Sequence, residues 1–110
     1  MKEQFLYLTT TGRKTGLPRQ IEIWFVASEG TFYVLAERRH ATQWVKNIKR
    51  DPRVRVRVGR RDSPEYAATA RVLDHERDDA VWREAQRLSR EKYGWGDGLP
   101  VELTPRWRRL

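Results

Sequence analysis

The stretch "YLTTTGRKTGLPRQIEIWF", Tyr7 to Phe25, places Arg13 and Lys14 between Gly12 and Gly16, with strand-like residues on both sides. It reads as a strand over about 5–10, a Gly/Lys/Pro-rich turn at 11–18 and a second strand through 19–28. In that second strand Ile21, Ile23 and Phe25 alternate with Glu22, Trp24 and Val26, the period of a pleated sheet. The turn is not a GxxxxGK[ST] phosphate loop, because the lysine precedes the second glycine and a strand follows. It still offers two cations, the Thr15 hydroxyl and backbone amides in one concavity, with glycines that allow close approach of a ligand. A plain basic hairpin turn fits the same residues.

Working outward, "SEG" at 28–30 turns the chain into a strand at 31–37, and the first three strands form an antiparallel meander. The period then changes. "ATQWVKNIKRDP" reads as a short helix with Thr42 as its N-cap, stopped by Pro52. "RVRVRVG" alternates strictly, with Val54, Val56 and Val58 inward and Arg53, Arg55 and Arg57 outward, and "EYAATARVLD" supplies another strand. From Asp74 to Tyr93 the spacing predicts a longer helix with Val81, Ala85 and Leu88 as its buried stripe and Gly94 as its end. "LPVELTP" adds a last short strand. Tight turns between the first strands argue against parallel βαβ winding, so the residues point to an α+β or small-barrel fold in a single domain over 1–110.

Composition narrows the function classes. With 110 residues the chain holds one core, and 12 aromatic residues in a 38% hydrophobic composition argue for a folded domain. There is no cysteine, hence no disulfide or thiolate chemistry. His40 and His75 are too few for a zinc site of the HExxH type, and no metal site is expected. No run of about 18 apolar residues is present to span a bilayer, and the start lacks a signal-peptide core, which predicts a cytoplasmic protein.

The net charge of +8 is local: residues 38–61 carry ten Lys or Arg against Asp51 alone, and the flanking regions nearly balance. Such a block suits an anion site or a nucleic-acid groove, and equally a solvated strand face. No RRM, KH or helix-turn-helix signature accompanies it. No nucleophile elbow surrounds any serine, so an enzyme of this composition leaves the chemistry to a bound cofactor.

The run "YLTTTGRKTGLPRQIEIWFV", followed by the helix block Trp44, Asn47, Ile48, Asp51, Pro52 and Val54, resembles the deazaflavin (F420)-dependent nitroreductase and quinone-reductase family of the flavin- and F420-binding split β-barrel superfamily. The likeness is strong over residues 5–60 and extends weakly to "LPVELTP". It implies a mainly β split barrel of about six antiparallel strands, with a short inserted helix and one longer C-terminal helix. It also implies coenzyme F420 as cofactor, FMN as the alternative, and haem in some relatives. Carried over by position, Arg13, Lys14, Thr15 and Gly16 would meet the cofactor's anionic tail. Arg19, Ile23 and Trp24 would line the ring, Trp44 and Asn47 would close the site, and Arg38 and Arg39 would replace a lysine-bearing loop. Tyr93 and Trp95 are candidates to wall the acceptor pocket, or to clasp the core.

The chain departs from the family pattern in two places. Glu37 stands where the family's nitroreductases carry a small hydroxyl residue, and Glu22 stands where proline is usual. The function so implied is hydride transfer from reduced F420 to a quinone, nitroaromatic or similar small-molecule acceptor. The alternatives are a non-catalytic F420, flavin or haem carrier, and a basic nucleic-acid-binding barrel. A homodimer is expected to cover apolar surface.

Overall fold

The computed structural model describes residues 3–109, with side chains over 3–106. Strands β1 (Phe5–Thr11), β2 (Pro18–Trp24), β3 (Val26–Ser28) and β4 (Thr31–Ala36) come first, then α1 (Gln43–Arg50), β5 (Arg53–Val58), β6 (Glu65–Val72), α2 (Asp79–Tyr93) and β7 (Leu99–Arg109). All seven strands belong to one antiparallel sheet ordered β2-β1-β5-β6-β7-β4-β3. The fold is therefore mainly β with two helices, the small barrel the sequence indicates.

The predicted strand over 19–28 is in fact two strands at opposite edges of the sheet, joined through Phe25. A single residue cannot bridge a flat seven-stranded sheet, since neighbouring strands lie about 4.8 Å apart. The sheet must curl until its two edges meet. Phe25 and Val26 are both buried, so the alternation breaks where the chain changes edge. Period alone could not show this, because the apolar pattern continues through the break.

Two further expectations are corrected. The second helix begins at Asp79, not Asp74. The Asp74 carboxylate accepts the amides of Glu76 and Arg77, and Asp78 accepts the amide of Asp74, a side-chain-bonded turn that competes with helix. The buried stripe of α2 is Trp82, Ala85 and Ser89, whereas Val81 and Leu88 are only half-buried. The last strand is also long and central, pairing with both β4 and β6. Pro100 and Pro105 suggest a short segment, yet the strand runs through both, and Pro105 sits at the β6–β7 register shift near Tyr66 and Ala68.

Other readings hold. Glu29 and Gly30 take φ of 52° and 80°, the positive values of a primed hairpin turn between β3 and β4. Gly94 closes α2 at φ 76°. Leu6, Leu8, Val34, Val56, Val101 and Leu103 fill the barrel. Helix α1 inserts Val45 and Ile48 into that core, and Phe25 meets Phe32 edge-on with centroids 5.4 Å apart. Thr42 precedes α1 as its N-cap residue, but its side chain makes no capping hydrogen bond.

Candidate functional site

The β1–β2 turn closes on itself. The Gly12 amide donates to the Leu17 carbonyl at 2.8 Å, the Gly16 amide to the Gly12 carbonyl at 2.7 Å, and the Leu17 amide to Thr15 Oγ1 at 3.1 Å. Gly16 has φ 73°, a left-handed conformation that β-carbon-bearing residues resist. At Gly12 a Cβ would lie 2.9 Å from Thr15 Oγ1 and 3.1 Å from the Leu17 carbonyl, so the two glycines serve the turn itself.

Helix α1 holds this turn from below. Asn47, 6% exposed, accepts the Arg13 amide at 3.2 Å and the Arg13 guanidinium at 3.0 Å, and donates to Thr10 Oγ1 at 3.2 Å. Gln43 accepts the other terminal nitrogen of Arg13 at 2.7 Å. Gln43 and Asn47 are four residues apart and share one helix face. Both of Arg13's side-chain partners are neutral amides, so its orientation is fixed while its positive charge is left uncompensated. Arg13, Lys14, Thr15, Arg19, Trp44 and Asn47 all border one pocket of about 370 Å³. Among the described residues, Arg13, Lys14 and Arg19 have no carboxylate partner.

Four arginines of the basic block at 38–61 have carboxylate partners. Arg53 pairs with Asp51, Arg55 and Arg57 with Glu65, and Arg60 with Asp62. The β5 arginines therefore carry local counter-charges, whereas Arg38, Arg39, Lys46, Lys49, Arg50 and Arg61 have no carboxylate partner among the described residues.

Trp44 also borders a second, larger cleft of about 700 Å³. Its walls are Ile23 and Trp24 from β2, Tyr33 from β4, Trp44 from α1, and Tyr93 and Trp95 around the end of α2. Trp24 stacks on Tyr93 with centroids 4.4 Å apart and planes within 3°. Glu22, Glu37 and Arg38 also face this cleft. So does Thr42, whose hydroxyl oxygen is buried without a hydrogen-bond partner.

Tyr93 has a second duty. Its hydroxyl accepts the Phe25 amide at 3.0 Å and lies 2.6 Å from the Gln4 carbonyl and 2.7 Å from the Phe25 carbonyl. Lys92 Nζ donates to the Phe25 carbonyl at 2.9 Å and to the Glu3 carbonyl at 2.6 Å, and sits 4.1 Å from the centre of the Phe25 ring. Phe25 is the strand-switch residue with no place in the ladder, and the end of α2 satisfies its backbone. Burial raises the Tyr93 phenol above its usual range and lowers the Lys92 ammonium. Tyr33 is pushed up to about 12 by desolvation and by the Glu102 carboxylate, to which its hydroxyl donates at 3.2 Å.

Of the residues singled out in the sequence, Arg13, Lys14, Thr15, Arg19, Trp44 and Asn47 gather at the basic pocket, and Ile23, Trp24, Arg38, Tyr93 and Trp95 line the aromatic cleft with Trp44. Two lie elsewhere. Gly16 faces a different depression, beside Thr11, Pro18 and Arg53. Arg39, at φ 51°, turns its guanidinium onto the Asp97 carbonyl. Sequence reasoning missed Gln43 and Tyr33 as site residues and read Thr42 only as a helix N-cap. Gln43 left a trace in its four-residue spacing from Asn47, whereas Tyr33 reaches the cleft only through the curl of the sheet.

The fold is a small barrel with two pockets that share Trp44 as a border. A family model described as F420H(2)-dependent quinone reductase matches residues 1–101, and the chain belongs to that family. A solved F420-H2 dependent reductase (FDR-A) is similar at 26% identity and TM-score 0.67, over 91% of this chain and 92% of that one. A structure described as a domain-swapped dimer matches at 28% identity and TM-score 0.61, over 94% and 81%. The heme storage protein HutZ from Vibrio cholerae shares the fold at TM-score 0.77 and 18% identity, over 99% and 86%. No described helix is long and apolar enough to cross a membrane.

Proposed function

We propose that this chain is an F420H2-dependent reductase that binds the deazaflavin across the two pockets that share Trp44. The observation that carries the reading is Trp44: it borders both an aromatic slot of about 700 Å³ and a pocket of about 370 Å³ whose cations have no carboxylate partner among the described residues. A flat ring with an anionic tail matches that arrangement. The unpartnered Thr42 hydroxyl in the slot supplies a polar contact for such a ring, so the residues present fit the group. Arg13, Lys14 and Arg19 would hold the tail, with Gln43 and Asn47 fixing Arg13. Ile23, Trp24, Trp44 and Arg38 would hold the ring, and Tyr93 and Trp95 would wall the acceptor. When bound, reduced F420 supplies a hydride to a quinone, nitroaromatic or similar acceptor. The protein's part is to orient both planar molecules and exclude water between apolar walls.

Titration with F420, followed by cofactor fluorescence, tests the reading. Lys14→Ala should weaken binding about tenfold, the loss of one charge-assisted contact. Arg55→Ala, which removes an arginine already paired with Glu65, should leave binding within a factor of about two. FMN serves as the competing ligand, and FMN binding without F420 binding would sink the assignment. Turnover of menadione or a nitroaromatic then separates a reductase from a carrier. Nucleic-acid binding is the weaker reading, because the arginines that would track phosphates along β5 are paired with Asp51 and Glu65. We also infer a homodimer: Leu17, just before edge strand β2, and Trp24, its last residue, are exposed large apolar side chains. Sedimentation at micromolar concentration reads this directly.

A further inference from the structure

We infer that the acceptor end of the aromatic cleft selects cationic or neutral planar molecules over anionic ones, with Glu37 as the specificity-determining residue. The inference rests on the proposed function only in calling the occupant an acceptor; the recognition itself follows from the cleft. The two pockets that share Trp44 differ in charge. Among the described residues, Arg13, Lys14 and Arg19 and no carboxylate line the smaller pocket, whereas the aromatic cleft carries Glu22 and Glu37 against Arg38. Arg38 is the cation assigned above to the cofactor, which leaves two carboxylates for the second molecule.

Aromatic walls and a carboxylate are the chemistry that recognises a delocalised organic cation. Trp24, Tyr33, Trp44, Tyr93 and Trp95 line the cleft, with Trp24 and Tyr93 covering one face of each other, and the quadrupoles of aromatic rings attract positive charge. Glu37 is exposed and makes no ion pair among the described residues, so its charge is available to a ligand. Glu22 is partly engaged, since Tyr7 donates to it at 2.7 Å. Glu37 follows directly on β4, whose last residues Leu35 and Ala36 line the same cleft, so a rigid element sets its place. The ligand class is a planar aromatic cation such as an N-alkylated pyridinium or quinolinium, with a neutral quinone also admitted and carboxylated aromatics disfavoured.

The test uses three probes of similar shape at neutral pH: N-methylquinolinium, quinoline and a quinoline carboxylate. Each is titrated into the full chain, with and without saturating F420, and followed by quenching of tryptophan fluorescence. The expected order is cation, then neutral, then anion, with cation over neutral by about fivefold, as one solvent-screened charge contact plus ring–cation attraction allow. Glu37→Gln should reduce that preference to about twofold and leave quinoline binding unchanged. Because the Glu37 side chain is exposed, the variant is not expected to unfold, and thermal melting verifies this. Raised salt should shrink the preference in the wild type alone. Equal binding of cation and neutral probe, tighter binding of the carboxylate, no binding of any probe, or a preference untouched by Glu37→Gln would each overturn the inference. Failure of F420 to bind would sink the proposed function and leave this result standing, since the probes are also read without cofactor.

Discussion

Replacing Tyr93 by phenylalanine isolates the contact that holds the strand switch. Phe25 is 1% exposed, and its amide has the Tyr93 hydroxyl as acceptor at 3.0 Å. Removing that oxygen leaves a buried N–H unsatisfied, which costs about 1–3 kcal/mol. The Phe25 carbonyl keeps Lys92 at 2.9 Å, so the second lost contact adds little. The ring remains, its stack on Trp24 is preserved and the space created is one oxygen atom. The expected destabilisation is therefore about 2 kcal/mol, or a Tm lower by roughly 8 °C for a chain of this length. Urea unfolding followed by tryptophan fluorescence should show a lower midpoint with an unchanged m-value, because the native surface is the same. A variant within about 0.3 kcal/mol of wild type would show that the switch does not depend on Tyr93, and the account of how β2 and β3 are held apart would fail. A large fall in m would also refute it, by showing that native packing had changed.

Asn47→Ala should lose about 2–4 kcal/mol, because the 2%-exposed Thr10 hydroxyl and the Arg13 amide both lose a partner. It should also weaken F420 binding although Asn47's polar atoms are already bonded within the protein, and Asn47→Asp should keep the Arg13 bonds while partly cancelling its charge. Calorimetry paired with cofactor titration checks both effects. Tyr33 has a folded pKa of about 12 against an ordinary value of 10.0, so its contribution is complete below pH 10 and lost as pH rises towards 12. The unfolding free energy measured across that window should fall more steeply for wild type than for Tyr33→Phe.

Much of the candidate site was legible because its residues are close in sequence. Turn chemistry at 12–17, the helix around Trp44 and the local excess of arginine are all short-range signals. Counting charge nonetheless overstated the site. Glu65 offsets half of the charge of Arg55 and Arg57 because β6 pairs with β5 in a register that sets Arg57 opposite Glu65. Pairing of that kind lies beyond a one-dimensional reading. Asn47 shows the same limit: its place in the block was visible, but its buried position beneath Arg13 was not.

Local patterns of residues marked the antiparallel strands except for the break at Phe25, the presence of both helices, the basic turn and the likeness to the family. The elements and the turn rest on periods of two or 3.6 residues or on local turn chemistry, and the family likeness on the two motif blocks. Tertiary structure decided that one apolar run becomes two strands at opposite edges of the barrel, that the final strand lies inside the sheet, and that Tyr93 and Lys92 hold the switch at Phe25. It also decided which of the many cations stay free. Those outcomes depend on closure of the sheet, which brings residues nearly seventy positions apart into contact, as Phe25 meets Tyr93. No local pattern specifies such a contact, because its stabilisation appears only once the barrel has closed.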